Sequence, residues 1–559
     1  MSKGKPPSNR PSARKLPEST MSSSHPQPLL DTRIAWLISL ALLTVLAIRV
    51  IHFYLAPDAT LVGVVPDDAF YYIKLAQNHA KLGLWTFDGT APTTGFHMLY
   101  AYGLVAVYKI APSASWRDVY LLVSVLASLS MAIAVWLTWV TVRGWWGRAA
   151  SLVAVAPFFS VAALVQSTSM MESWLVILLG SLMLFQVGRT APLNWLTATA
   201  LVATAALGSM ARSDFGLLAG CLCVLGWAGH KVVPLVTRQR LLCALAGAVM
   251  GVVIVLLHTH HISGEFSQAS AQIKLHWSAV VGHSWLPPLL VVFPLTVPFA
   301  TDIGALTRGL SVENTRLLYH WFPWMAAIVA AAVASGVVYR WRSMGPAGRQ
   351  ALVTPSLFLW LGCVVTCLGY VVFYKHNSAA LQSWYAANLL LPIGLALGGL
   401  YHLMLQDTRR WVAGLIAAAF AVSGLLHLNK VTWPHQAGML QAALFLKEQP
   451  RDIAYGGWNA GIISYFSEQP YINLDGLTND DAVPYIQSNT LLDYVGQRKI
   501  RYIIDYANMF RSYGMRVRGG YDDPRVAICI RPVRVLDEGA AAWAVSALTL
   551  YEVHPTCLN

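Results

Sequence analysis

The sequence predicts a polytopic α-helical membrane protein that ends in a small α/β domain. Three observations carry this expectation. The 559 residues are 56% apolar and only 12% charged, with mean hydropathy +0.52, whereas a soluble domain averages about 25% charged residues. Apolar runs of span length recur between residues 33 and 428. Beyond residue 429 the pattern changes to short strand-like segments set between Gly, Asp and Asn.

Residues 1–30 are rich in Ser and Pro and carry Lys3, Lys5, Arg10, Arg14 and Lys15. Such a segment buries no core and is expected to be a disordered basic tail held in the cytoplasm. The first apolar run has no small-residue cleavage site, so it reads as a retained helix. Eleven runs are span candidates: 33–55, 117–142, 149–166, 172–188, 194–210, 214–230, 241–258, 318–340, 352–374, 386–404 and 411–428. Two shorter runs, 97–112 and 286–300, read as re-entrant or interfacial; counting both as crossings gives thirteen.

Charge decides between the counts. With eleven crossings, Arg143, Arg148, Arg189, Lys231, Arg238, Arg240, Arg340, Arg342, Arg409 and Arg410 all face the cytoplasm. With thirteen, three basic turns move to the wrong side. Either count puts the N-terminus inside and the C-terminus outside. The +13 net charge resides largely in the tail and these turns, which argues against a nucleic-acid footprint. The expected organisation is therefore a tail (1–30), a membrane module (31–428) with an outer loop at 56–116, and an extracytoplasmic α/β domain (429–559).

In the last region, QAALFLKEQ reads as a helix, and DIAYGG, PYINLDG, RYIIDY and RVAICI read as strands. Five of the seven cysteines lie in apolar runs and read as small core residues. Cys529 and Cys557 lie in the tail domain, where an oxidising compartment would let them pair.

The acids gather on the expected outer face. Asp67 and Asp68 follow directly on the first span. One of them is expected to cap the helix AFYYIKLAQNHA. Capping does not account for the pair. Adjacent carboxylates repel, so one can be held near neutrality as a general base, and the two could also ligate a divalent cation. TFDGTAPTTGFH adds Asp88, Thr94 and His97 in a turn-rich loop, read either as plain surface or as an ordered active-site loop. Glu172, Arg212 and Asp214 stand where spans turn, as helix-end charges or as site residues. Trp384 and Tyr385 fit an interfacial aromatic belt, and Lys274 is a candidate phosphate contact. GxxxxGK[ST], GxSxG, HExxH and paired CxxC patterns are absent from the sequence, which removes the simplest support for ATP-driven transport, serine hydrolysis and zinc proteolysis.

These residues resemble the GT-C class of integral-membrane glycosyltransferases, which take sugars from polyprenyl-phosphate carriers. The resemblance rests on Asp67-Asp68 before AFYY, on Glu172 in SMMES and on the tail domain. It is narrower toward bacterial members carrying DDAFYY, TFDG.xPTxGFH, a MES-type turn, ARxD, a late WY and WNAG…YFS…NLDGL.ND, which stand here at Asp67–Tyr72, Thr86–His97, Met171–Ser173, Ala211–Asp214, Trp384-Tyr385 and Trp458–Asp480. The Glu172 turn has no DxD.

The resemblance implies a bacterial plasma-membrane enzyme that acts at the outer face with inversion. Its partners would be a polyprenyl-phosphate-linked sugar and a glycan, lipid or protein acceptor. It implies Asp68 as general base, with Asp67 and Glu172 beside it. It implies substrate contacts from Asp88, Thr94, His97, Arg212, Asp214, Lys274, Lys375, Trp384, Tyr385, Asn459 and Asp475. No cofactor is assigned, and a divalent cation is admitted. Two other classes compete: a flippase of lipid-linked sugars, which should show internal repeats and midplane polar residues, and a non-catalytic glycan-binding scaffold.

Overall fold

The computed structural model describes residues 28–298, 312–376, 378, 381–405, 409–537 and 547–557. The expected tail therefore lies outside the described residues up to position 27, and helix begins at Pro28.

Among the described residues a helix stands at each of the eleven expected spans. Six are long and apolar: Thr32–Tyr54, Trp116–Trp146, Leu235–Ser263, His320–Ser343, Pro355–His376 and Trp384–Leu405. One is a pair, Arg148–Phe159 and Val161–Thr168, bent by 52° where Pro157 has no amide to donate. Four are shorter: Ser173–Val187, Trp195–Ala211, Phe215–Ala228 and Arg410–Leu426. Of the two excluded runs, 97–112 forms Met98–Ile110 and packs on the Asp67–Leu82 helix. The other forms the second arm of a helix pair, Ala269–Val281 and Leu286–Thr296, bent by 110°. A bend of that size marks a broken span or a re-entrant loop. The protein is a multi-pass membrane protein.

Helix contacts follow membrane rules. A Cβ at Gly247 or Gly251 would overlap the carbonyl of Val202 or Ala206, so this GxxxG pair lets Leu235–Ser263 lie against Trp195–Ala211. Arg49, inside the first span, is 1% exposed. It donates to the carbonyls of Leu428 (2.6 Å) and Lys430 (3.1 Å) and to Thr168 Oγ1 (3.3 Å). An intramembrane cation needs such partners, and here it fastens the first span to the chain leaving the last one.

The C-terminal region contains a five-stranded mixed sheet in the order β2-β1-β3-β5-β4. Its strands are β1 (Ala454–Gly457), β2 (Tyr471–Asn473), β3 (Ile500–Tyr506), β4 (Ile530–Asp537) and β5 (Leu548–Val553). β1 runs parallel to β2 and β3, whereas β5 is antiparallel to β3 and β4. The expected helix appears as Gln436–Lys447 and three expected strands as β1–β3.

RVAICI does not form the expected strand. Val526–Cys529 is a helical turn and the strand begins at Ile530. Asp523 accepts the Arg525 amide (2.8 Å) and starts the turn. Val526 and Cys529, three apart, are buried while Ile528 is 66% exposed, which is a helical and not an alternating pattern. Cys529 and Cys557 are joined by a disulfide across a Cα–Cα distance of 5.9 Å.

The sheet domain docks onto the bundle through the Asp67–Leu82 helix. Phe70 packs on Tyr465 and Phe466 at 5.6 and 5.4 Å between ring centroids. Buried Gln436 accepts from the Asp67 amide (2.8 Å) and donates to Val65 O (2.7 Å). One hydrophobic cluster runs continuously from the first span into the domain.

Candidate active site

The Asp67–Leu82 helix starts at Pro66, whose extended backbone (φ −63°, ψ 152°) makes it the N-cap without a side-chain bond. Neither acid caps its own helix. The two occupy its first turn, where the helix dipole favours negative charge, and they point in different directions.

Asp68, Tyr71, Tyr72 and Leu75 recur at helical spacing and form one wall of a pocket. The other walls are Gly95, Phe96 and His97 from the Thr-Gly loop, Met171 and Glu172, Ser270 and Lys274, Trp384 and Tyr385, and Leu477 of the sheet domain. The pocket encloses about 460 Å³, counting the part open to solvent. Gly95 is required here, because a Cβ would overlap the Leu477 carbonyl.

Asp68 is the uncommitted acid: among the described residues nothing donates a hydrogen bond to its carboxylate. Burial pushes its pKa up to about 6; Lys274 opposes the rise and Glu172 adds to it. Glu172 is fully buried and bonds Arg212 at 2.5 Å, with His97 Nε2 at 3.5 Å. The turn that aims it has Met170 at φ +54°, left-handed for a non-glycine, and the Met170 carbonyl accepts the Tyr100 hydroxyl. Burial lowers the pKa of His97 to about 4, so its imidazole is neutral near pH 7.

Arg212 also grips Asp214 at 3.1 and 3.2 Å. Asp214 in turn accepts from Tyr374 and Asn388, each at 3.2 Å. Arg212 lies 4.6 Å over the Tyr385 ring, and the Tyr385 hydroxyl accepts from Lys274 Nζ at 2.8 Å. Arg212 is thus occupied by two carboxylates. Lys274, bonded only to a neutral hydroxyl, is the one Lys or Arg lining the pocket.

Comparison with known proteins adds the following. A family model described as a domain of unknown function (DUF8728) matches residues 429–551. No curated protein sequence matches the chain. Among solved structures, ArnT from Cupriavidus metallidurans bound to undecaprenyl phosphate aligns at TM-score 0.52 and 11% identity, over 92% of this chain and 98% of that one. The archaeal oligosaccharyltransferase AglB from Archaeoglobus fulgidus, in complex with an inhibitory peptide and a dolichol-phosphate, aligns at TM-score 0.50 and 12% identity, over 88% and 72%. The chain has the GT-C fold.

Within this GT-C frame the expected site residues divide. Asp68, His97, Glu172, Lys274, Trp384 and Tyr385 line the pocket, and Arg212 and Asp214 stand directly behind it. Asp67 points away from it. Its carboxylate accepts the amides of Gly461 (3.1 Å) and Ile462 (2.6 Å), capping a helix of the sheet domain. Thr94 is tied to Asp480 (Oγ1, 2.7 Å) and to the Ala269 amide (3.0 Å). Asp88 is tied to Arg498 at 2.7 Å, and Asn459 bonds Asp505. Lys375 stacks on Trp285 at 4.6 Å, outside the pocket. Asp475 lies one layer back, accepting from Tyr71 (2.9 Å) and the Leu477 amide (2.6 Å), and burial pushes its pKa up to about 8.

Among the described residues no group of three or more His, Cys, Asp or Glu is placed to hold a metal ion. Asp67 is turned away and Glu172 is engaged by Arg212, so the donor set does not fit a three-ligand cation site.

Sequence reasoning did not single out Tyr71, Tyr72, Ser270 or Leu477 as pocket residues. The tyrosines were findable, since they stand three and four residues after Asp68 on a predicted helix. Leu477 carried no such signal.

Proposed function

We propose that this protein is an inverting glycosyltransferase that moves a sugar from a polyprenyl-phosphate carrier to a cell-envelope glycan, lipid or protein at the outer face of the membrane. The observation that carries the reading is an unbonded carboxylate of raised pKa, Asp68, facing the pocket's single cation, Lys274. Proton acceptance and anion stabilisation are the two requirements of displacing a phosphate by a hydroxyl.

In this reading Asp68 accepts the proton of the acceptor hydroxyl. The oxygen attacks the anomeric carbon, the bond from that carbon to the phosphate oxygen breaks, and the phosphate leaves with the electron pair toward Lys274. Neutral His97 and the Glu172–Arg212–Asp214 chain hold the wall opposite the acceptor. The carrier's tail has a place to lie. An apolar cavity of about 1380 Å³, counting its open part, is lined by Val161, Leu164, Pro287, Leu290 and Val291. It shares the 381–386 segment with the pocket, with Gln382 and Ala386 on its side and Trp384 and Tyr385 on the other. The bound lipids of the two structural neighbours support this assignment. The Cys529–Cys557 disulfide supports an extracytoplasmic sheet domain.

The test is transfer from radiolabelled polyprenyl-phospho-sugars by purified protein in nanodiscs, with envelope material from a deletion strain as acceptor. Transfer that survives unchanged in Asp68→Asn would end the assignment of the base. Absence of transfer by the wild type from any such donor would end the enzyme reading.

A further inference from the structure

The helix that carries Lys274 belongs to the sheet domain's core more than to the membrane bundle. On Ala269–Val281, the residues Ser270, Ile273, Lys274 and Trp277 share one face. Ser270 and Lys274 line the pocket. Ile273 and Trp277, 0% and 3% exposed, enter a hydrophobic cluster whose other members all come from beyond residue 457.

At the junction stands Arg518, on the Tyr513–Gly519 helix that packs against Ala269–Val281. Its guanidinium lies 4.5 Å from the Trp277 ring and 5.1 Å from the Trp458 ring, and the two rings are 4.8 Å apart. Among the described residues nothing accepts a hydrogen bond from this guanidinium, and its Nε is buried without a partner. The acid acting on it is Asp475, which receives the Tyr71 hydroxyl at 2.9 Å. Arg518 therefore touches the Lys274 wall through Trp277, and it is attracted by Asp475, which is bonded to Tyr71 of the Asp68 wall. Gly520, at φ +75°, ends the helix two residues later, and Tyr521 after it is fully buried.

We propose that Arg518 is a positioning residue for Lys274: packed against both the Trp277 and Trp458 rings, it sets where the Ala269–Val281 helix stands relative to Asp68 and so couples the sheet domain to the pocket's cation. The proposal rests on the reading of the pocket as a polyprenyl-phosphate site. A flat guanidinium can lie over two adjoining indoles at once, whereas a compact ammonium ion covers less of the pair.

A double-mutant cycle on the full chain in nanodiscs tests it, with undecaprenyl phosphate as the probe. Lys274→Gln should weaken binding by about 10- to 100-fold, as for a lost bond to a charged group. Arg518→Gln should weaken it by about three- to tenfold. The double variant should bind no more weakly than Lys274→Gln alone. Arg518→Lys should not rescue, and in both Arg518 variants amide exchange should quicken over residues 269–281 while β3 and β5 keep their protection. Additive losses in the cycle, full rescue by Arg518→Lys, or wild-type affinity in Arg518→Gln beside a weakened Lys274→Gln would each overturn the coupling. Unchanged affinity in Lys274→Gln would instead remove the donor-site reading beneath it.

Discussion

Two neighbouring carboxylates divide the molecule between them. Asp67 faces the domain interface and receives two backbone amides; Asp68 faces the pocket and receives none. They share a helix turn and a residue type, so partner satisfaction alone separates their roles. An acid whose lone pairs are filled by amides is holding structure, and one left bare beside a cation is available for proton transfer.

The sharpest way to break this contrast is to neutralise each acid in turn. Asp68→Asn should reduce transfer by about 10²–10⁴-fold with little change in melting temperature, measured by sugar transfer and by thermal unfolding of the same preparations. The pH profile sharpens it. A base with a pKa of about 6 is ionised above that value, so transfer should plateau near pH 7 and fall about tenfold per unit below pH 6. The acidic limb should move to lower pH in Glu172→Gln, which removes a repelling charge, and to higher pH in Lys274→Gln, which removes an attracting one.

Glu172→Gln should come next in size. It leaves Arg212 buried with one anion in place of two, a loss of up to about 3 kcal/mol by the cost of breaking buried pairs, to be read in denaturant unfolding. Asp67→Ala should cost about 1–3 kcal/mol for each of two orphaned amides. Limited proteolysis should show it as loosened docking of the sheet domain; an unchanged cleavage pattern would contradict the clasp. Lys375→Ala should be the smallest effect, within about twofold on donor affinity, because its partner is the Trp285 ring outside the pocket.

Much of the fold was legible because long apolar runs and basic turns are local signals. All eleven expected spans are helical, and the run expected at 286–300 begins as the second arm of a helix pair bent by 110°. The Arg525–Ile530 segment was misread because Val526, Ile528 and Ile530 alternate as in a strand, whereas a local Asp-Pro turn starts a helical turn that buries Val526 and Cys529. β4 and β5 went unseen, since Arg and Pro interrupt the first and the second is recognisable only once paired. In the site, Asp68, Glu172, Lys274 and Tyr385 were legible as polar residues at span ends. The motifs around Asp88, Thr94, Asn459 and Asp475 are equally conspicuous in sequence, yet they meet partners up to 410 positions away. No local pattern distinguishes a contact with substrate from a contact with another domain.

The position of Leu477 in the pocket wall bears on how the protein is made. Translation delivers Asp68 early and the Trp384-Tyr385 wall late, and only after every apolar span has emerged does the ribosome reach the last wall residue. A nascent or truncated chain thus holds its acid and its cation without the roof that encloses them. On the proposed function, competence arrives with the final quarter of synthesis, so partly made copies embedded in the membrane would leave the lipid-linked donor untouched.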